Sequence, residues 1–186
     1  MPENPNYFEF IAYTYPTFFA IILSSFLTLF AAFTAIRQSR KTAREKNSID
    51  FETSYKTNSS IVNAWQLIMP LMKRKDSNYL KLSNGKIKQE EIDAINLILN
   101  TWERAANGIF HNIYDGNFLY KTYGSTVLYL YSNLYGYIED RQNVNPRFYI
   151  QFSKLYIRWK IKRQEEDRTN VDKELSQILK KLNKYT

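Results

Sequence analysis

Cysteine is absent from the 186-residue chain, which excludes disulfides and thiolate metal sites. With one histidine, His111, a zinc site would depend on carboxylates for nearly every ligand, and no carboxylate spacing provides them. The five glycines (Gly85, Gly108, Gly116, Gly124 and Gly136) stand singly, so there is no glycine-rich phosphate loop. No internal repeat or low-complexity tract occurs, and no cofactor is expected. Charge is also missing locally, since Phe10 to Ile36 carries no Asp, Glu, Lys or Arg.

That uncharged run is the strongest signal in the chain. As a helix it rises about 40 Å, more than the roughly 30 Å hydrocarbon core of a bilayer. Arg37, Arg40, Lys41, Arg44 and Lys46 follow it at once, while only Glu3 and Glu9 precede it. The basic side of a span faces the cytoplasm, so the N-terminus is expected outside and the remainder inside, at the inner (plasma) membrane. Tyr7, Tyr13 and Tyr15 suit the outer interface. A cleaved signal peptide is the alternative, but the acidic N-terminus, the long apolar run and the lack of a small-residue cleavage site argue against it. Residues 1–15 are then a short extracytoplasmic tail and 16–36 a transmembrane helix.

The rest of the chain has helical periodicity throughout, and all-α is the expected fold class. Residues 37–74 form a basic juxtamembrane stretch and long helix, and 75–186 a helical bundle. No Gly or Pro occurs from Ile36 to Met69, so the membrane helix is read as continuing inward without a break. Ile61, Trp65, Ile68 and Leu71 form an apolar stripe near its end, where Pro70 disturbs or stops it. Asp76 to Lys86, with Ser83-Asn84-Gly85, reads as a loop. Ile92, Ile95, Leu99, Trp102, Ala106, Ile109 and Ile113 alternate spacings of three and four, one continuous buried seam. Asp115-Gly116-Asn117 ends that helix and starts another.

Asn117 to Gln142 is apolar around most of its circumference, as for a central helix. Asn143 to Pro146 reads as a break. Phe148, Phe152, Leu155 and Trp159 form the next seam, followed by charge from Lys160 to Arg168. A separate last helix is expected to bury Val171, Leu175, Ile178, Leu179 and Leu182. Arg147, Lys154, Arg158 and Lys162 are read as the solvated side of their helix rather than an RNA-stacking surface. The net charge of +8 suits a neighbour of an anionic leaflet or a nucleic acid alike. Arg37, Arg40, Lys41 and Arg44 are assigned to anionic lipid headgroups.

Two patterns bear on function. Ala20, Ser24, Thr28 and Ala32 recur every four residues, with Ser25 and Thr34 nearby. Such a small-residue stripe allows close helix approach. It reads equally as self-association or as a plain anchor. If copies form a ring, the hydroxyl-bearing face can line a wet channel. The second pattern lies opposite the α-helical seam, where Asn100, Arg104, Asn107, Gly108 and His111 are expected to face outward and to form an interface between copies. Gly108 would let a second helix approach. Metal-independent RNA cleavage needs a proton acceptor and a cation at the phosphate. Arg104 and His111, with Asn107, would be the catalytic set. The bland alternative is a solvated stripe with Arg104 paired to Glu103 or Asp115.

The stretch Arg104-Ala-Ala-Asn-Gly-Ile-Phe-His111, an R-x6-H element in an all-helical chain, resembles the HEPN superfamily. Joined to one N-terminal span, it is similar to the small transmembrane accessory proteins of type VI-B CRISPR systems. The resemblance implies a HEPN-like cytoplasmic bundle and a homo-oligomeric pore that strengthens RNA-guided antiphage defence. Implied partners are the membrane, other copies, and an RNA-guided nuclease effector or RNA, with no small-molecule substrate. HEPN ribonucleases usually carry a polar residue directly after the Arg, where this chain has Ala105, with the polar side chain at Asn107. No enzymatic activity is therefore expected. A membrane-tethered ribonuclease and a non-catalytic scaffold are the alternatives.

Overall fold

The computed structural model describes residues 7–73, 80–81, 85 and 87–182. Among the described residues five helices follow in order: α1 (Tyr7–Thr57), α2 (Ser59–Lys73), α3 (Gln89–Phe110), α4 (Gly116–Val144) and α5 (Ile150–Leu182). The fold is all-helical, with no strand among the described residues. The chain divides into two compact units, residues 1–43 and 44–186. The second unit begins at Arg44.

In the first unit, α1 is long and apolar enough to cross a membrane. Phe18, Leu23, Phe26, Leu29, Phe30 and Phe33 are all 58–68% exposed, so none of the described residues covers them. The hydroxyls of the small-residue stripe bond backward along their own helix. Ser24 and Ser25 donate to the Ile21 carbonyl, Thr28 to Ser24 and Thr34 to Ala31, at 2.8–2.9 Å. Each polar atom is thereby satisfied without a partner helix. Helix α1 already begins at Tyr7, inside the stretch read as a tail. The side chains of Tyr7 and Tyr13, and Glu3 altogether, lie outside the described residues, while Tyr15 is exposed.

In the second unit, the helix expected to run unbroken to Met69 is interrupted at Asn58. The Asn58 side-chain oxygen accepts from the amides of Ser60 (2.9 Å) and Ile61 (3.4 Å), an N-cap that starts α2. Pro70 does not stop α2, which runs on to Lys73. Of the expected loop Asp76 to Lys86, only Leu80, Lys81 and Gly85 are described, and Gly85 has the positive φ (61°) that glycine adopts freely.

The α3 seam is buried from Ile95 to Ile109, but Ile113 is 50% exposed because the helix ends at Phe110. Asn112 takes a left-handed conformation (φ 56°), its amide bonds Ile109 O (3.1 Å), and the Ile113 amide bonds Gly108 O (2.8 Å). This is a Schellman stop with asparagine in the left-handed position. Asp115 then accepts from Asn117 N (2.9 Å) and Phe118 N (3.1 Å) to open α4.

Helix α4 is central, burying Leu119, Val127, Leu130, Leu134, Tyr137 and Ile138 almost completely. Helix α5 is one continuous helix, not two, so the charged stretch Lys160 to Arg168 is its exposed middle. Val171 is 54% exposed rather than buried, and the side chains of Leu175, Ile178, Leu179 and Leu182 lie outside the described residues. The first turn of α5 is capped from another helix. The Glu103 carboxylate accepts from Gln151 N (3.1 Å) and Phe152 N (2.7 Å), placing negative charge at a helix N-terminus.

An aromatic cluster joins the helices. Phe51, Tyr55, Trp102 and Tyr123 meet with ring centroids 5.4–6.5 Å apart, mostly edge-to-face. At its centre the Tyr55 hydroxyl accepts from both indole N–H groups, Trp65 at 2.8 Å and Trp102 at 2.9 Å. Burial raises the Tyr55 pKa and holds the phenol neutral. A second polar knot forms at Asn96, whose side-chain oxygen accepts from Tyr137 (2.7 Å) and Tyr149 (2.9 Å).

Candidate functional site

Helix α3 presents Asn100, Arg104, Asn107 and His111 to solvent, all four exposed. A rotation of about 100° per residue sets these positions opposite Leu99, Trp102, Ala106 and Ile109. Gly108 departs from the expected pattern. It is buried, and a Cβ there would overlap the ring of Tyr114 from the same chain. The space left by the missing side chain is filled internally and is not open to a second helix.

The side chains of Arg104 and His111 make no hydrogen bond or ion pair with any described residue. Both carboxylates that could have neutralised Arg104 are engaged elsewhere, Glu103 at the start of α5 and Asp115 at the start of α4. The polar stripe is therefore not closed on itself. Arg104 borders a small cleft of about 190 Å³ together with Ser54, Tyr55, Thr101 and Tyr114. His111 is the C-cap of α3. Seven residues separate the two along the helix, about 10 Å of rise. Ala105, directly after the Arg, is 1% exposed and packs in the core, so a polar side chain at that position would enter the apolar interior.

This geometry leaves an unpaired cation and an unpaired imidazole on one exposed face. Such a face can bind phosphate or carboxylate, or meet a second copy of itself. Arg37 and Arg40 are exposed on α1, whereas Arg44 is half-buried and lines a polar cavity of the bundle. No group of three or more potential metal ligands occurs among the described residues.

Two features gave no sequence signal. Tyr123 is buried with a hydroxyl that has no hydrogen-bond partner, and burial pushes its pKa up to about 12. It borders an apolar groove of about 820 Å³ with Tyr55, Val62, Trp65, Met69 and Tyr129. The other is the polar cavity at the α3–α4 turn, assembled from residues more than a hundred positions apart.

No characterised protein and no solved structure matches the chain. A family model described as a domain of unknown function, DUF4760, matches residues 22–159, from inside the apolar run to Trp159 in α5. That match covers most of the sequence, and the chain belongs to the DUF4760 family.

Proposed function

We propose that the chain is a membrane effector whose copies assemble into a homo-oligomeric pore. The N-terminus lies outside and the bundle in the cytoplasm, a reading supported by the basic residues Arg37, Arg40 and Lys41 after the apolar run. Its resemblance to the transmembrane accessory proteins of type VI-B CRISPR systems makes an RNA-guided nuclease its expected companion in antiphage defence. The observation that carries the proposal is the uncovered apolar surface of α1 from Phe18 to Phe33. Lipid covers such a surface, and one span encloses no water, so a conducting path needs several copies. The small-residue stripe Ala20, Ser24, Thr28 and Ala32 is where spans would pack. Asn100, Arg104, Asn107 and His111 are where bundles would meet.

Reconstitution of the full chain into dye-loaded liposomes tests this. Release above that of protein-free vesicles, reduced by Ser24→Leu with Thr28→Leu, is the expected result. A chain that inserts and releases no dye, alone or with its RNA-guided companion, contradicts it.

A second reading, a membrane-tethered metal-independent ribonuclease, is favoured by the unpaired, exposed Arg104 and His111. It predicts RNA cleavage in EDTA that His111→Ala abolishes. No cleavage, or equal cleavage by the variant, removes it.

A further inference from the structure

The polar cavity of the bundle, about 760 Å³ in volume, lies where α3 ends, α4 begins and α5 passes Arg44 of α1. That volume is in the range of small-molecule sites. Three cations line it: Arg44 from α1, and Arg158 and Lys162, one turn apart on α5.

Among the described residues, none of the three forms an ion pair. Asp115 is in the lining, but its carboxylate is occupied by the Asn117 and Phe118 amides. Glu165 is also in the lining and forms an ion pair with none of them. Lys162 instead donates to the neutral Asn117 side-chain oxygen at 2.9 Å and lies 4.2 Å over the Tyr120 ring. The Arg158 guanidinium lies 6.0 Å over the Phe110 ring. Neutral partners thus position Lys162 and Arg158 without consuming their charge. The lining sets three cations against the carboxylates of Asp115 and Glu165, and the net positive charge favours an anion held between the cations. Arginine matches phosphate oxygens in a bidentate fork, and lysine adds a point charge. The remaining wall combines Phe110, Trp159 and Ile161 with Asn112, Asn117 and Glu165, groups that suit an apolar or planar body bearing hydroxyls.

We propose that this cavity binds a phosphate ester with a hydroxylated body, its phosphate held by Arg44, Arg158 and Lys162. A soluble nucleotide and an anionic lipid headgroup share that chemistry, and Arg44 stands eight residues after Ile36, where the apolar run ends. The site is independent of whether copies assemble.

Isothermal titration of the detergent-solubilised full chain tests it with two pairs of probes. ATP is compared with adenosine, and dihexanoyl phosphatidylglycerol with dihexanoyl phosphatidylcholine. The phosphate-bearing anion of at least one pair is expected to bind at least about tenfold tighter than its control. Arg158→Gln with Lys162→Gln should weaken binding about a hundredfold, from two lost charge-assisted contacts. Arg44→Gln, on a different helix, should weaken it about tenfold, while Arg147→Gln leaves it unchanged. Preference for ATP assigns a soluble nucleotide, and preference for phosphatidylglycerol assigns a headgroup. No discrimination in either pair overturns the proposal, as does discrimination that survives both the double variant and Arg44→Gln. Far-ultraviolet circular dichroism establishes that each variant is folded.

Discussion

Replacing Tyr55 by Phe removes one oxygen atom and leaves two indole donors without an acceptor. Trp102 is fully buried, so its N–H cannot reach water once the Tyr55 hydroxyl is gone. Trp65 is only half-buried and recovers most of its loss by hydration. An unsatisfied buried donor costs about 1–3 kcal/mol. Taking the middle of that range, about 2 kcal/mol, for Trp102 and up to about 1 kcal/mol for Trp65 gives about 2–3 kcal/mol for Tyr55→Phe. For a domain of this size each kcal/mol moves the midpoint by about 2–4 °C, so a loss of about 4–12 °C is expected. Thermal unfolding of the solubilised chain, followed by near-ultraviolet circular dichroism and tryptophan emission, reads both stability and the indole environment. Tyr129→Phe, at a 42% exposed phenol, is the control and should be within about 0.5 kcal/mol of wild type. If Tyr55→Phe behaves like that control, the shared acceptor is not what organises the aromatic centre.

Glu103→Ala removes the cap on the first turn of α5 and should cost about 1–2 kcal/mol in chemical denaturation, against a smaller loss for Glu103→Gln. Gly108→Ala drives a methyl group into the Tyr114 ring and should cost about 1–3 kcal/mol, partly offset by a gain of up to about 1 kcal/mol in helix propensity. Stability should fall at high pH. Burial pushes the phenols of Tyr123 and Tyr137 up to about 12, so between pH 10 and 12 the unfolded chain releases protons that the folded chain retains. The slope is about 1.4 kcal/mol per pH unit for each such phenol, absent below pH 9 and measurable by urea titration. Arg104→Ala with His111→Ala touches only exposed side chains and should change stability by less than about 0.5 kcal/mol, so any change in particle size reports assembly.

Much of the helical framework is legible in the chain because apolar spacing records it directly. The seam through Ile95, Leu99, Trp102 and Ala106 locates α3, and the same 100° rotation puts Arg104 and His111 outside. Helix ends were less legible. Thr57-Asn58-Ser59-Ser60 is an N-cap signature, but the absence of glycine and proline masked it. Lys160 to Arg168 looked like an interruption, yet a charged stretch is equally the middle of a solvated helix, and α5 passes through it. Contacts between helices were illegible for a different reason. Tyr55 meets Trp102 across 47 residues, and Glu103 meets Phe152 across 49. Periodicity gives each residue a face but not a partner. The cavity at Arg44, Arg158 and Lys162 belongs to the same class, since three scattered cations become a site only when helices bring them together. Gly108 shows the intermediate case. Its spacing marked a place of close approach, while the occupant, Tyr114, came from the turn its own helix enters.

The mass of the detergent-solubilised particle tests the central claim most directly. Native mass spectrometry should find a defined multiple of the 22.2 kDa chain, reduced by Arg104→Ala with His111→Ala or by Ser24→Leu with Thr28→Leu. A single 22.2 kDa species at high protein concentration, inserted in the micelle and folded, would contradict it.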